Sequence, residues 1–139
     1  MTAPREAASA AVLDESGRLL LVQENYDRRR YTLPGGAVDA GESVLDAAVR
    51  ETLEETGVVV RLDHVVGVYR LVDGLALTLF RCAIEEGEPA LPDTGEIADV
   101  GWFAPGEIPA PRSNILHHAL PDIVTGHRGV VRDGLPRLN

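Results

Sequence analysis

One segment, residues 35–57, constrains the fold of this chain most, because it predicts a glycine turn followed by a strongly amphipathic helix. The segment reads "GGAVDAGESVLDAAVRETLEETG". We predict a helix from Ser43 to Thr56, with Gly57 placed to cap its C-terminus. At about 100° per residue, Glu51, Glu54 and Glu55 point to one side, while an adjoining face carries small and apolar side chains. One face can therefore pack on a sheet while the other presents carboxylates.

The three carboxylates on this helix face repel one another. Like charges four positions apart cost about a few tenths of a kcal/mol on a helix. Glu54 and Glu55 also lie in the last turn, where the helix dipole disfavours anions. Arg50 can offset only part of this excess. The face is either simply solvated or holds a cation, and oxygen-rich clusters are what Mg²⁺ and Mn²⁺ prefer. The residues alone leave both interpretations open.

The remainder of the sequence predicts mostly strands and one shorter helix. "YTLPGG" is a short extended piece, and "SNILHHALPDIV" predicts a helix that is interrupted near Pro121. This order favours an α+β fold or a three-layer α/β/α sandwich with a mixed sheet. A length of 139 residues suits one domain, residues 1–139. The predicted strands are Ser9–Leu13, Arg18–Gln23, Val58–Arg61, Val65–Leu71, Leu75–Ile84 and Ile97–Phe103.

Charge and composition exclude several classes of partner. The net charge of −9 argues against DNA or RNA, because nucleic-acid binding depends on basic contacts to phosphate. All 13 basic residues are arginines. An acidic protein can still bind a small phosphorylated ligand if divalent cations reverse the local field. No apolar run is long enough for a membrane span, and the start does not resemble a signal peptide, so we expect neither. A single cysteine, Cys82, fits a reducing, cytoplasmic setting.

The spacing of the fixed residues in the helical segment resembles the Nudix box, GX5EX7REUXEEXGU with U aliphatic, of the Nudix hydrolase (MutT-like) family. The one departure is Thr52, which stands where the pattern has an aliphatic residue and places local packing in question. "YTLPGG" before the box and "EIADVGWF" after it also look like the family, so the resemblance covers most of the chain. The matching positions are Gly36, Glu42, Arg50, Glu51, Glu54, Glu55 and Gly57.

The resemblance implies a hydrolase that cleaves the diphosphate of a nucleoside diphosphate linked to another group X. It implies that Mg²⁺ or Mn²⁺ is held by Glu51, Glu54 and Glu55, with the backbone carbonyl of Gly35 as a further ligand. Arg50 and Glu42 match positions that support catalysis by orienting the helix and the loop. Gly36 and Gly57 match structural positions, one in the loop that approaches the metal and one at the helix end.

A general base is also required, and members of the family differ in which glutamate serves. Glu51 on the helix is one candidate. Glu96 is the other, because it lies six residues before Trp102 behind "PDTG", a spacing that is similar to the family's loop base. A solvated loop carboxylate is the alternative interpretation of Glu96.

Other residues carry weaker signals. Arg28, Arg29 and Arg30 precede the glycine turn and either meet substrate phosphates or form a solvated loop. Tyr31 occupies a place where the family often has an aromatic residue, either for base stacking or for core packing. The remaining candidates are expected to be structural: His117 and His118 at a surface, Cys82 buried, and Trp102 in the core at the end of a sheet.

The box does not identify the substrate. "RLVDGLALT" lacks the Pro and the Tyr that mark the subfamilies for ADP-ribose and for diadenosine polyphosphates. We therefore expect a compact nucleotide-type substrate, such as a nucleoside triphosphate or a nucleotide sugar, with no membrane partner and a homodimer left open. The alternative is a non-catalytic sensor module on the same fold. Such modules usually lose box carboxylates, whereas this chain keeps all of them.

Overall fold

The computed structural model of the protein describes residues 5–138, in which eight strands and two helices form. A single 3₁₀ turn, Pro105–Glu107, connects the seventh strand to the second helix. The elements in chain order are β1 (Arg5–Val12), β2 (Leu19–Glu24), β3 (Tyr31–Thr32), β4 (Gly35–Ala37), α1 (Val44–Thr56), β5 (Val59–Leu71), β6 (Leu75–Glu86), β7 (Ile97–Phe103), α2 (Asn114–Thr125) and β8 (Val130–Leu135).

The strands form two sheets, and the larger one is mixed. Its order is β4-β1-β6-β5-β8, with β1 parallel to β6 and β5 parallel to β8, while the other neighbours are antiparallel. The smaller sheet, β3-β2-β7, is antiparallel. One apolar cluster includes Leu116 and Ile123 of α2, and the other includes Ala47 and Ala48 of α1. Because neighbouring β1 residues alternate between these clusters, the large sheet lies between the two helices, and the predicted three-layer sandwich with a mixed sheet is confirmed.

Helix α1 begins and ends at the residues that the sequence predicts. The Ser43 hydroxyl accepts the Asp46 N–H at 3.0 Å, and Gly57 adopts the left-handed conformation at φ 80°. Thr52 is fully buried, yet its hydroxyl donates to the Ala48 carbonyl at 2.7 Å. The hydroxyl that Thr52 adds to the buried face of α1 therefore has a hydrogen-bond partner.

Three parts of the architecture differ from the prediction. Strand β5 is one continuous strand, because bulges absorb the polar residues between the two predicted strands. Helix α2 is not interrupted at Pro121 and continues to Thr125, whose hydroxyl donates to the Pro121 carbonyl at 2.8 Å. Strand β8 was not predicted, since "VVRDGL" is short and polar and forms only by parallel pairing along β5.

Between residues 5 and 138, neither helix has the length and apolar character that a bilayer crossing requires.

Candidate active site

A cleft of about 260 Å³ lies where the glycines of β4 meet the last turn of α1 and the β2–β3 hairpin. Its lining includes two carboxylates, Glu24 and Glu55. Leucines of β5 and β6 contribute apolar surface, and Ser113, Asn114 and Arg137 contribute hydrogen-bonding groups. The cleft therefore combines carboxylates, hydrogen-bonding groups and apolar surface.

Glu55 is the carboxylate most strongly affected by the cleft. Its Oε1 accepts the Gly35 N–H at 2.8 Å. Burial, with further contributions from the negative charges of Glu51, Glu24 and Glu54, raises the pKa of Glu55 to about 8. Burial also raises the pKa of Glu24 and that of Glu51. Without a cation, the site thus favours the neutral form of Glu55 at neutral pH.

The two glycines of β4 bring backbone against carboxylates and against β1. A Cβ atom on Gly36 would lie 2.7 Å from Oε1 of Glu51, so the Glu51 carboxylate occupies the space that a side chain would need. A Cβ atom on Gly35 would overlap Oγ of Ser9 and the backbone oxygen of Ala8. Only glycine permits this close approach at both positions.

Arg50 joins the loop after β4 to helix α1. Its guanidinium binds Glu42 with two hydrogen bonds of 2.8 and 3.0 Å, and it donates to the Ala37 carbonyl at 3.1 Å. It also contacts Glu51 at 3.0 Å and Glu54 at 3.3 Å. These bonds to Arg50, together with the Asp39 N–H, hold the pKa of Glu42 down at about 2. Arg50 therefore connects the loop after β4 to helix α1 through Glu42 and the Ala37 carbonyl.

The structure brings only part of the expected metal-binding set together. Glu55 and Gly35 are in contact, but through the Gly35 N–H, while Glu51 and Glu54 contact Arg50. Within residues 5–138, no three carboxylate, imidazole or thiolate side chains converge closely enough to hold an ion. The donors nevertheless fit a hard divalent cation, because they are carboxylates, and burial raises the pKa of two of them, Glu51 and Glu55.

Glu96 lies at the rim of the cleft, next to two residues that the sequence did not single out. It is exposed, and its carbonyl accepts the Asn25 N–H at 2.9 Å. The Tyr26 hydroxyl donates to Oε2 of Glu24 at 3.2 Å. Partial burial and the charges of Glu24, Glu55 and Glu96 raise the pKa of Tyr26 to about 12. One feature of the sequence could have indicated a site at Glu24, because this residue ends the strand segment "LLLVQE" just before a polar loop.

The four residues predicted to bind substrate do not lie together in the structure. Arg30 lines the cleft and pairs with Asp27 at 3.2 Å, whereas Arg28 and Arg29 are exposed and lie outside it. Tyr31 packs edge-on against Phe103 with ring centroids 5.2 Å apart and contacts the core, which favours core packing over base stacking.

The residues expected to be structural lie away from the cleft. His117 is exposed, and His118 contacts the Pro136 carbonyl at 2.9 Å through Nε2. Cys82 is buried, and burial raises the pKa of its thiol to about 11. Trp102 is half-buried against the cluster beneath α1.

Comparison with known proteins identifies relatives along nearly the whole chain. A "Putative 8-oxo-dGTP diphosphatase" of Bacillus subtilis (strain 168) is 42% identical over 107 residues, which are 75% of this chain and 69% of that protein. A "MutT-like protein" of Streptomyces ambofaciens is 30% identical over 136 residues, 91% of this chain and 86% of that protein. A NUDIX hydrolase structure from Nitrosomonas europaea superposes with a TM-score of 0.82 over 99% of this chain and 81% of that one.

At 22% identity, the Nitrosomonas structure supports the fold alone. The family assignment comes from the sequence, since the family model for the NUDIX domain matches residues 3–123. The glycine loop, the capped acidic helix and the mixed sheet between two helices agree with that match. The chain belongs to the NUDIX family and is a Nudix-type pyrophosphohydrolase.

Proposed function

We propose that this enzyme requires Mg²⁺ or Mn²⁺ and cleaves the diphosphate of a nucleoside diphosphate linked to another group X. The substrate class comprises nucleoside triphosphates, nucleotide sugars and similar compact nucleotides. Residues 1–139 act as one catalytic domain in a reducing, cytoplasmic setting. The observation that carries the proposal is the Glu55 carboxylate, which is buried in the cleft among other carboxylates with its pKa raised to about 8.

The names of relatives point to the same substrate class. The Bacillus subtilis relative is named for 8-oxo-dGTP, and a Streptococcus suis structure named as an ADP-ribose pyrophosphatase is 26% identical with a TM-score of 0.73. These substrates share a nucleoside and a phosphoanhydride but differ in the group X. They support the class and leave the choice within it to experiment.

The chemical tasks divide among residues of the cleft and of helix α1 beside it. Glu51, Glu54 and Glu55 would hold the metal, with the backbone carbonyl of Gly35 as a further ligand. A bound divalent ion would neutralise charge on the diphosphate and acidify water. Arg50 and Glu42 orient helix and loop. Either Glu96 or Glu51 takes the proton from the water that attacks phosphorus, and the P–O bond to the leaving phosphate or nucleotide breaks as the new one forms. Arg30, which lines the cleft, binds a phosphate oxygen.

A nucleotide panel with and without metal tests the proposal. The panel contains 8-oxo-dGTP, the common deoxynucleoside triphosphates, ADP-ribose and UDP-sugars, and the products are separated by ion-exchange chromatography. We expect turnover of at least one member with Mg²⁺ or Mn²⁺ and none in excess EDTA. Full turnover in excess EDTA would contradict metal dependence, and turnover of no member would contradict the substrate class.

The variant Glu55→Gln, with Glu15→Gln as matched control, tests the role of the carboxylate. Glutamine keeps an oxygen for the Gly35 N–H but removes a buried acid, so thermal stability should stay equal or rise. Activity should fall about a hundredfold or more, since the metal loses a charged ligand. Glu15 is exposed, and its variant should match the wild type in both measurements. If Glu55→Gln unfolds but keeps its activity per folded molecule, Glu55 is a structural residue.

A further inference from the structure

A second cavity, about 310 Å³, lies beside the cleft and is lined by basic side chains. We refer to it as the basic pocket. Arg28 and Arg30 come from the β2–β3 hairpin, Arg112 from the segment before α2, and His117 from α2 itself. The other lining residues are Ala110, Pro111 and Leu138. None of the lining side chains is acidic, although the chain contains 22 Asp and Glu residues.

The positive charge of the basic pocket is largely uncompensated. Of its three arginines, only Arg30 forms an ion pair with a residue in the described range 5–138, namely with Asp27 at 3.2 Å. Asp27 is exposed, so water screens that pair. Among residues 5–138, neither Arg28 nor Arg112 has an ion-pair partner. Three arginines and a histidine that line one pocket of a chain with net charge −9 favour an anionic ligand there.

Backbone hydrogen bonds hold the two walls of the basic pocket together. The Tyr31 N–H donates to the Pro111 carbonyl at 2.9 Å, and the Ser113 N–H donates to the Tyr31 carbonyl at 2.9 Å. This short parallel bridge pairs Tyr31 with Arg112 and so places Arg112 beside the end of the hairpin. The pairing of the two backbone segments therefore brings Arg112 close to the hairpin arginines, whichever rotamers their side chains adopt.

The hairpin that carries Arg28 and Arg30 has an uncommon backbone. Asp27 and Arg29 adopt left-handed conformations, with φ of 52° and 53°. The Glu24 backbone N–H donates to the Arg30 carbonyl at 2.9 Å, and the side-chain amide of Gln23 donates to the Arg29 carbonyl at 3.2 Å. Non-glycine residues keep this conformation only where the surrounding structure holds them. The hairpin is thus fixed in a form that turns Arg28 and Arg30 to one pocket and leaves Arg29 outside it.

The basic pocket is continuous with the cleft through Arg30, which lines both. We propose that the basic pocket binds a second phosphate group of the substrate, remote from the diphosphate that is cleaved. This inference rests on the proposed function. The acidic end of the cleft can take phosphate only together with metal ions, whereas the arginine forks of the basic pocket bind phosphate directly. The substrate therefore extends past Arg30 and ends in a phosphoryl group.

Binding of inorganic tripolyphosphate to the metal-free protein tests the site itself. In EDTA, the cleft carboxylates repel a polyanion, so saturable shifts of the backbone amide signals should be confined to residues 28–30, 112 and 113 in an NMR titration. Arg112→Ala and Arg28→Ala should each weaken binding about tenfold to a hundredfold, the effect of losing a charge-assisted hydrogen bond. Arg128→Ala, another exposed arginine outside the basic pocket, should leave the affinity within about twofold. The absence of saturable shifts at these amides would overturn the proposal.

Kinetics with a nucleoside diphosphate whose group X ends in a phosphoryl group, beside ADP-ribose, whose group X does not, test the link to the reaction. The loss in Arg112→Ala should fall mainly on KM, about tenfold or more, because the residue binds the substrate far from the cleaved bond. If tripolyphosphate binding is lost while kcat/KM stays within about twofold of the wild type, the pocket does not serve the substrate and the proposal is wrong. If no nucleotide is hydrolysed at all, the proposed function fails, while the titration still decides whether the basic pocket binds phosphate.

Discussion

The adjacent glycines of β4 have different tasks, although both lack room for a side chain. At Gly35 the obstacle is the backbone and the Ser9 side chain of β1, which cannot move without disturbing the large sheet. At Gly36 the obstacle is the far end of the Glu51 side chain, which can rotate away. The first glycine therefore supports folding, and the second supports the position of a carboxylate.

We expect Gly35→Ala and Gly36→Ala to separate stability from activity. Gly35→Ala should lower the free energy of unfolding by about 1–3 kcal/mol, the usual cost of overpacking. Gly36→Ala should cost less stability, yet lower the rate about tenfold or more because Glu51 is displaced. Urea denaturation beside a rate measurement distinguishes the two effects. Equal losses of stability in both variants would show that the Glu51 side chain cannot move away from the added methyl group.

The raised pKa of Glu55 predicts how metal binding depends on pH. A carboxyl group with a pKa of about 8 is protonated in the metal-free protein at lower pH, and a metal must displace that proton. Mn²⁺ affinity should therefore rise with pH, up to about tenfold per unit between about pH 6 and about pH 8, and then level off.

Calorimetry in two buffers of different ionisation enthalpy measures the proton released as Mn²⁺ binds. Glu55→Gln provides the control, because its affinity should be weaker and nearly independent of pH in this range. An affinity for Mn²⁺ that does not change between about pH 6 and about pH 8 in the wild type would mean that Glu55 is already ionised or is not a ligand.

Among the secondary-structure elements, α1 was the most predictable and β8 the least. Local signals specify α1 completely: a serine cap, a 3.6-residue period and a terminal glycine. The sequence could not place Glu24 or Tyr26 in the site, because their proximity to Glu55 arises only when β2 and β4 meet in the tertiary structure. The same reason applies to β8, which forms by pairing with a strand far away in sequence.

The loop that carries Glu96 supplies a test of the general base. Glu96 is exposed in the free enzyme, and its position there does not exclude a role as general base. If Glu96 is the base, Glu96→Gln should lower the rate about 10²–10⁴-fold with little change in substrate affinity. The pH–rate profile should also lose its acidic limb.

Glu51→Gln is the comparison for Glu96→Gln. If Glu51→Gln shows the loss of the acidic limb while Glu96→Gln keeps at least about half of the wild-type rate, the base lies on the helix. Asp93→Asn, in the same loop, controls for nonspecific effects of removing a charge near Glu96.

For the molecule as a whole, Asp122 links helix α2 to two strands of the large sheet. It is buried on α2, and it accepts hydrogen bonds from Tyr69 of β5 at 2.8 Å and from Arg132 of β8 at 2.7 Å. Nδ1 of His127, in the loop between α2 and β8, lies 2.8 Å from Oδ1 of Asp122, the oxygen that also binds Arg132. This network attaches the C-terminal strand to the sheet and to the second helix.

Removing parts of this network should lower stability without changing the chemistry of the cleft. Tyr69→Phe should cost about 1 kcal/mol of unfolding free energy. Asp122→Ala should cost about 3 kcal/mol, because it leaves the buried Tyr69 hydroxyl without a partner and frees Arg132 as well. Asp93→Ala, at an exposed position, should change stability by less than about 0.5 kcal/mol. A smaller loss for Asp122→Ala than for Tyr69→Phe would contradict this account.

Arg50 has a consequence for the order of events in the life of the enzyme. Its guanidinium contacts Glu51 and Glu54 and so offsets part of the repulsion on that face of α1. On the proposed function, a metal ion at Glu51 and Glu54 would replace Arg50 there, and its binding would be an exchange of one cation for another. We therefore expect the chain to fold without metal into an inactive apoprotein that metal then activates.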